Sequence, residues 1–267
     1  MKSAGSPDRR RSRPQWLSSE ILMFSNAENL LADLPSGTSL FSFAEDLFPI
    51  HRSLTGEGVR VTLRKIREIL PELVIHEISS GSQVFDWTIP NEWTFERAQL
   101  WGPNDELVLD TAINNLHVLQ YSMPIDVELS LKDLEPHLHS LPNNPRAIPY
   151  VTSYYKPDWG FCLSHEQRLA LPEGKYRAVI KSTLRPGVLN FADLVVPGQV
   201  NDEILISTYI CHPQMANNEI SGPVVATFLA QWISTHPRYF TYRFVFVPET
   251  IGTIAYLNEH LDHLQRH

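Results

Sequence analysis

Ile206-Ser-Thr-Tyr-Ile-Cys-His-Pro-Gln-Met-Ala-Asn-Asn-Glu-Ile-Ser-Gly222 is the stretch whose reading decides the fold. An apolar run of β-forming residues delivers His212 into a polar turn, and Ser221-Gly222 then open a helix. In an open α/β sheet the ligand crevice lies at the carboxyl ends of the strands and in the loops that leave them. A histidine placed there stands where a metal or a substrate can be held. Asn217, Asn218 and Glu219 follow it with groups able to ligate or orient. A turn histidine held only by hydrogen bonds would read the same way, so the argument needs a second strand.

Tyr242-Arg-Phe-Val-Phe-Val-Pro-Glu249 supplies it. This apolar run ends on a carboxylate and passes through Thr250-Ile251-Gly252 into a helical pattern. A carboxylate there can ligate a divalent ion, or sit beside one and take a proton from a water that the ion has acidified. The competing reading is an acid at a helix start, favoured by the macrodipole alone.

Strand-His, then Asn-Glu-Ile-Ser-Gly-helix, then strand-Glu-Thr-Ile-Gly-helix, resembles the first half of the zinc aminopeptidase and carboxypeptidase-like fold. Five stretches narrow the resemblance: Arg52-Ser-Leu-Thr-Gly-Glu-Gly58, Val84-Phe-Asp-Trp-Thr-Ile-Pro90, Tyr155-Lys-Pro-Asp-Trp-Gly-Phe-Cys-Leu163, Cys211-His212-Pro213 and Pro248-Glu-Thr-Ile-Gly252. Together, over about Phe41 to the end, they are similar to a bacterial family of polysaccharide-biosynthesis-associated proteins. Members of that family carry an aminopeptidase-like domain, a small inserted domain and a C-terminal winged helix.

The resemblance implies an α/β fold, with an aminopeptidase-like mixed sheet flanked by helices, incomplete at its C-terminus, and an inserted small β-rich domain. It implies zinc, one or two ions, with His212 as a ligand, Asn218 at the bridging metal position and Glu249 as the counterpart of the catalytic base or of an adjacent metal-binding carboxylate; Glu219 is read as a substitute metal ligand. The substrate it implies is a peptide or an acylated small molecule. Two positions depart from the aminopeptidases: Asn218 stands where they carry a bridging Asp, and Thr250 where they carry a second Glu. The related enzymes complete their metal site with an Asp and a His from later strands. This sequence stops at His267 just inside the second helix, so a truncated or fragmentary member with part of the site is expected. A non-catalytic binding or scaffold protein that keeps the fold is the alternative.

Residues 1–36 read as a disordered tail and short helices: Arg9, Arg10, Arg11 and Arg13 lie among Ser and Pro, and helical spacing of apolar residues follows. Residues 37–85 and 172–267 read as the discontinuous core, with helices near Phe43–Leu47 and from Glu57 to Ile69 and a strand from Leu73 to Ile78. Residues 86–171 read as the insert, with short β-like runs and a brief helix near Ser130–Leu138. Tyr176–Leu184, Asn190–Val196 and Glu203–Cys211 are expected to rejoin the first strand in one mixed sheet. Ser164-His-Glu-Gln167 has capping-box spacing, which assigns Ser164 and Gln167 to a helix start rather than to chemistry with His165. Trp87, Trp93, Tyr154, Tyr155 and Trp159 can stack a sugar or peptide side chain, although aromatics more often fill cores. His76 is expected at an edge, and His260 and His263 as partners of a helix C-terminus.

With 267 residues, 43% of them apolar, the chain can bury a substantial core. A net charge of −8 argues against a nucleic-acid or anionic-membrane binder, since both need a basic face. The sequence carries no apolar signal core, and cytoplasmic residence is the expectation. Cys162 and Cys211 alone do not suggest a disulfide framework; Cys211 reads as strand-end packing, with a soft ligand or nucleophile as the rarer use.

Overall fold

The computed structural model describes residues 33–266, so the expected tail and most of the short helices before it lie outside the described residues. Eight strands build two sheets: β1 (Val74–Ser79), β2 (Glu92–Trp101), β3 (Leu107–Asp110), β4 (Ile125–Ser130), β5 (Lys175–Arg185), β6 (Val188–Val196), β7 (Glu203–Tyr209) and β8 (Thr241–Val247). The longer helices are α1 (Gly37–Leu47), α2 (Glu57–Ile69), α3 (Ser221–Thr235) and α4 (Ile251–Leu264). The central sheet has the order β1-β6-β8-β7 and the second sheet β3-β2-β5-β4.

In the central sheet β7 and β8 run parallel, and β6 and β1 are antiparallel to their neighbours, so the expected mixed sheet is present. From Phe244 to Val247 β8 reads as a continuous apolar run because both its faces are covered there. Its side chains alternate as the pleat requires. Phe244 and Phe246 enter a core with Leu63 and Ile66 of α2 and Ala230 of α3, while Val245 and Val247 enter the opposite core with Phe191, Tyr256 of α4, and Trp93 and Ile180 of the second sheet. The parallel register pairs Tyr209 with Val247, so the loops leaving β7 and β8 emerge side by side. That register carries His212 and Glu249 to one edge.

One strand lies elsewhere than its sequence suggests. Lys175–Arg185 pairs with β2 from Trp101–Arg177 to Glu92–Arg185 and with β4, and has no partner in the central sheet. The chain changes sheets at Arg185-Pro186-Gly187, and pairing within the central sheet resumes at Val188. The reason is that β-periodicity reports a buried face and not the sheet that buries it. Among the β-like runs read in residues 86–171, Leu116–Tyr121 is no regular strand: a 3-10 turn at Asn115–His117 is followed by isolated bridges from Val118 and Gln120. The helix near Ser130–Leu138 divides into α-helical Leu131–Leu134 and 3-10 Glu135–His137, with Pro136 at the break.

Other local readings hold. Ser164 and Gln167 close a capping box at the helix His165–Leu169. Cys162 and Cys211 are free and buried. Among the described residues no helix is long and apolar enough to cross a membrane.

Candidate metal and catalytic site

His212 follows β7 by a short loop whose entry is tied to the neighbouring strand, Ile210 N–H donating to Val247 C=O at 3.0 Å. The Glu219 carboxylate, essentially inaccessible to solvent, takes two bonds from His212: the backbone N–H donates to Oε1 at 2.7 Å, and Nδ1 lies 3.1 Å from Oε2. A carboxylate on Nδ1 fixes the ring and leaves Nε2 as the outward nitrogen. Nε2 is 3.2 Å from Glu249 Oε2, whose side chain is about half exposed. The two strand ends therefore meet through their side chains, as the motifs require.

Behind the loop lies Arg52, buried beside Glu219. Its Nε donates to His212 C=O at 3.0 Å and Nη1 to Leu47 C=O at 2.7 Å. Burial pushes the guanidinium down to about 10, opposed by the charge of Glu219. An acid and a base of opposite charge so placed lessen each other's burial penalty. Cys211 Sγ accepts the Glu249 N–H at 3.1 Å, and burial pushes its thiol up, away from the thiolate that metal binding or nucleophilic attack would need.

Two tyrosines frame the imidazole, and a third stands behind one of them. Tyr150 meets it edge-on at 4.5 Å between ring centroids and Tyr209 at 5.6 Å. Tyr150 and Tyr154 share a hydroxyl–hydroxyl bond of 2.8 Å, and burial raises the pKa of both, keeping them protonated. Tyr150 and Tyr154 come from the segment read as the insert.

The loops that aim these groups are bent. Gln214 (φ 51°) and Met215 (φ 46°) occupy the left-handed region in the His212 loop. Thr250, with φ 56° and ψ −67°, sits at the centre of a tight turn closed by Ile251 N–H to Glu249 C=O at 2.6 Å. This is a γ-turn of the strained hand, rare for any residue and more so for a β-branched one. Such outliers cluster at functional sites, where surrounding structure enforces them. The turn points Glu249 across to His212 instead of letting α4 begin directly after β8.

Of the four residues predicted for the site, His212, Glu219 and Glu249 come together. Asn218 is exposed, and its side chain bonds the Tyr209 hydroxyl. Arg52, Tyr150 and Tyr209 were not predicted. Arg52 does belong to a motif quoted for the resemblance, which is the signal that could have found it.

The donors divide between the two sides of one imidazole. Toward Nδ1, ligand atoms of Cys211, His212 and Glu219 lie within 4.8 Å of one another, all buried. Toward Nε2, His212 and Glu249 face each other near solvent, 3.2 Å apart, so the carboxylate stands beside whatever the imidazole holds. Only the Nε2 face has the open position that catalysis requires, and among the described residues it offers His212 as a donor, with Glu249 beside it, where a catalytic zinc usually has three protein ligands. The residues fit part of a zinc site.

A mixed sheet with helices on its faces, bearing His and Glu at adjacent strand ends, defines an aminopeptidase-like α/β fold. The chain belongs to the family described as Domain of unknown function (DUF4910), whose model matches residues 41–267. It is 44% identical over 230 residues to a Clostridium acetobutylicum protein named "Putative polysaccharide biosynthesis protein with aminopeptidase-like domain", covering 86% of this chain and 53% of the relative. A crystal structure of a "putative peptidase" from Clostridium acetobutylicum superposes with TM-score 0.86 at 42% identity, over 90% of this chain and 56% of that one. The chain thus spans about half the length of the curated relative it matches. At 13% identity the fold is shared with a peptidase M28 precursor from Shewanella amazonensis (TM-score 0.61, 93% of this chain, 73% of that one). It is also shared with a zinc aminopeptidase from Bacillus subtilis (TM-score 0.51, 85% and 65%).

Proposed function

We propose that the chain carries the metal-binding half-site of a zinc-dependent, aminopeptidase-like hydrolase that cleaves a peptide or an amide of an acylated small molecule. The reading extends to this chain the polysaccharide-biosynthesis role named for its relative. The observation that carries it is the 3.2 Å approach of His212 Nε2 and Glu249 Oε2 at the ends of adjacent parallel strands. Zinc bound there would supply Lewis acidity toward a carbonyl oxygen or a water.

The protein's own groups then have distinct roles. His212 presents Nε2 as a ligand. Glu219 holds the imidazole through Nδ1, so its part shifts from the ligand expected above to the orienting carboxylate, and Asn218 stands outside the set. Arg52 anchors the loop at the His212 carbonyl and balances Glu219. Glu249, half exposed and able to reach solvent, takes the proton from the attacking water and returns it to the leaving amine.

Zinc content and turnover of aminoacyl p-nitroanilides test this. The wild-type chain is expected to copurify with zinc and to hydrolyse the amides, and His212→Ala to lose both while its circular dichroism stays unchanged. A folded wild-type chain without zinc or turnover would favour the binding or scaffold reading, for which Asn218 and Thr250 are the supporting departures.

A further inference from the structure

We infer that the inserted segment carries a binding site for a single pyranose ring, in a cavity separated from His212 by one pair of tyrosines. The cavity has a volume of about 180 Å³, and its lining includes Tyr121, Tyr154, Tyr155, Pro90, Asn91 and Lys156. A space this size is below the roughly 300–1,000 Å³ of pockets for drug-sized ligands and admits one ring.

Its walls are rigid where they are aromatic. Tyr121 has φ 63°, and its hydroxyl is held by Thr55 at 2.6 Å, so the ring cannot turn away. Tyr154 crosses Tyr121 edge-on at 5.0 Å. Tyr155 is 80% exposed and offers the open aromatic face, while Tyr121, 3% exposed and stacked on Trp93, backs the cavity. Asn91 and Lys156, both exposed, add an amide and an ammonium to the lining. An apolar face beside donors and acceptors matches a pyranose, which has a C–H face to stack and hydroxyls to pair. A phenyl side chain would use the face and leave the polar groups unused.

Tyr154 is shared between this cavity and the candidate site. Its hydroxyl bonds Tyr150, whose ring lies against His212. Beyond burial, the nearby Glu249 carboxylate helps to keep Tyr154 protonated. A ligand ring in the cavity therefore lies two tyrosines, Tyr154 and Tyr150, away from the proposed chemistry. That the ring belongs to the substrate rests on the hydrolase reading; the binding of a ring does not.

Saturation-transfer NMR on the zinc-free and zinc-loaded chain tests the inference, with methyl α-D-glucopyranoside, methyl 2-acetamido-2-deoxy-β-D-glucopyranoside and N-acetyl-L-phenylalaninamide as probes. At least one glycoside is expected to receive saturation at its ring C–H protons. Tyr155→Ala, at an exposed position, should weaken its binding about fivefold or more, the scale of one stacking contact. His212→Ala should leave it unchanged, so a failed hydrolase reading and a failed ring site are told apart. Binding of the phenylalanine amide alone, of no probe, or of glycosides equally well in Tyr155→Ala would overturn the inference.

Discussion

At the scale of the residue, the site turns on how one imidazole is held. Glu219 is buried and accepts twice from His212, so replacing it with Gln keeps the shape while removing a charge and an acceptor. Glu219→Gln should cost about 1–3 kcal/mol of stability, because one polar group is left unmatched and Arg52 loses its balancing charge. On the proposed reading it should also weaken zinc about 10–100-fold through the misoriented ring. Unfolding by urea and a competitive chelator titration measure the two effects. Unchanged zinc affinity in the folded variant would remove Glu219 from the metal site altogether. His212 and Glu249 were legible because each stands within a few residues of a strand end, and Glu219 because it lies just ahead of the α3 start in the same motif. Arg52 was not, since it meets His212 from 160 positions away.

At the scale of the element, the junction between β8 and α4 is the strained one. A residue such as Thr250 in a sparsely populated backbone region costs about 1–3 kcal/mol. Glycine removes most of that strain while adding about 0.5–1 kcal/mol of chain entropy to be lost on folding. Thr250→Gly should therefore stabilise the protein by about 1 kcal/mol and raise its Tm by roughly 2–4 °C. A lower midpoint in a calorimetric scan would show that the turn is not under strain. The helix was legible in this segment within one residue, but the turn that aims Glu249 was not, because nothing in Glu-Thr-Ile specifies a positive φ. His260 and His263 show the same gap. Expected as helix-end partners, they face the sheet: His260 packs against Tyr256, and His263 Nε2 is 2.9 Å from Glu203, joining α4 to a strand.

At the scale of the whole molecule, stability should decline in two stages on acidification. Burial lowers the pKa of His51 to about 4, with its ring stacked on Phe95 at 4.2 Å. Between about pH 6.5 and 4 the unfolded chain carries a proton there that the folded chain lacks. Stability is therefore lost as pH falls through that window, by up to about 3 kcal/mol. His51→Gln should flatten the dependence over the window, and an unaltered profile of unfolding free energy against pH would refute the assignment. Further down, Glu203 responds. Burial pushes its carboxyl up, but hydrogen bonds from Arg243 and His263 more than offset this and hold it below its ordinary value. Its contribution is present above the unfolded pKa and is lost as pH falls through the depressed folded one.

The sequence by itself determined the class of fold and the two strand ends that carry His212 and Glu249, because hydrophobic periodicity and chain-local turns are written in neighbouring residues. Only the tertiary packing brought Lys175–Arg185 into the second sheet, turned Asn218 to Tyr209 and Glu219 inward, and laid Tyr150, from the segment read as an insert, against the imidazole. Those outcomes depend on which buried surfaces meet and on charges matched across long stretches of chain, and a pattern of local residues contains neither.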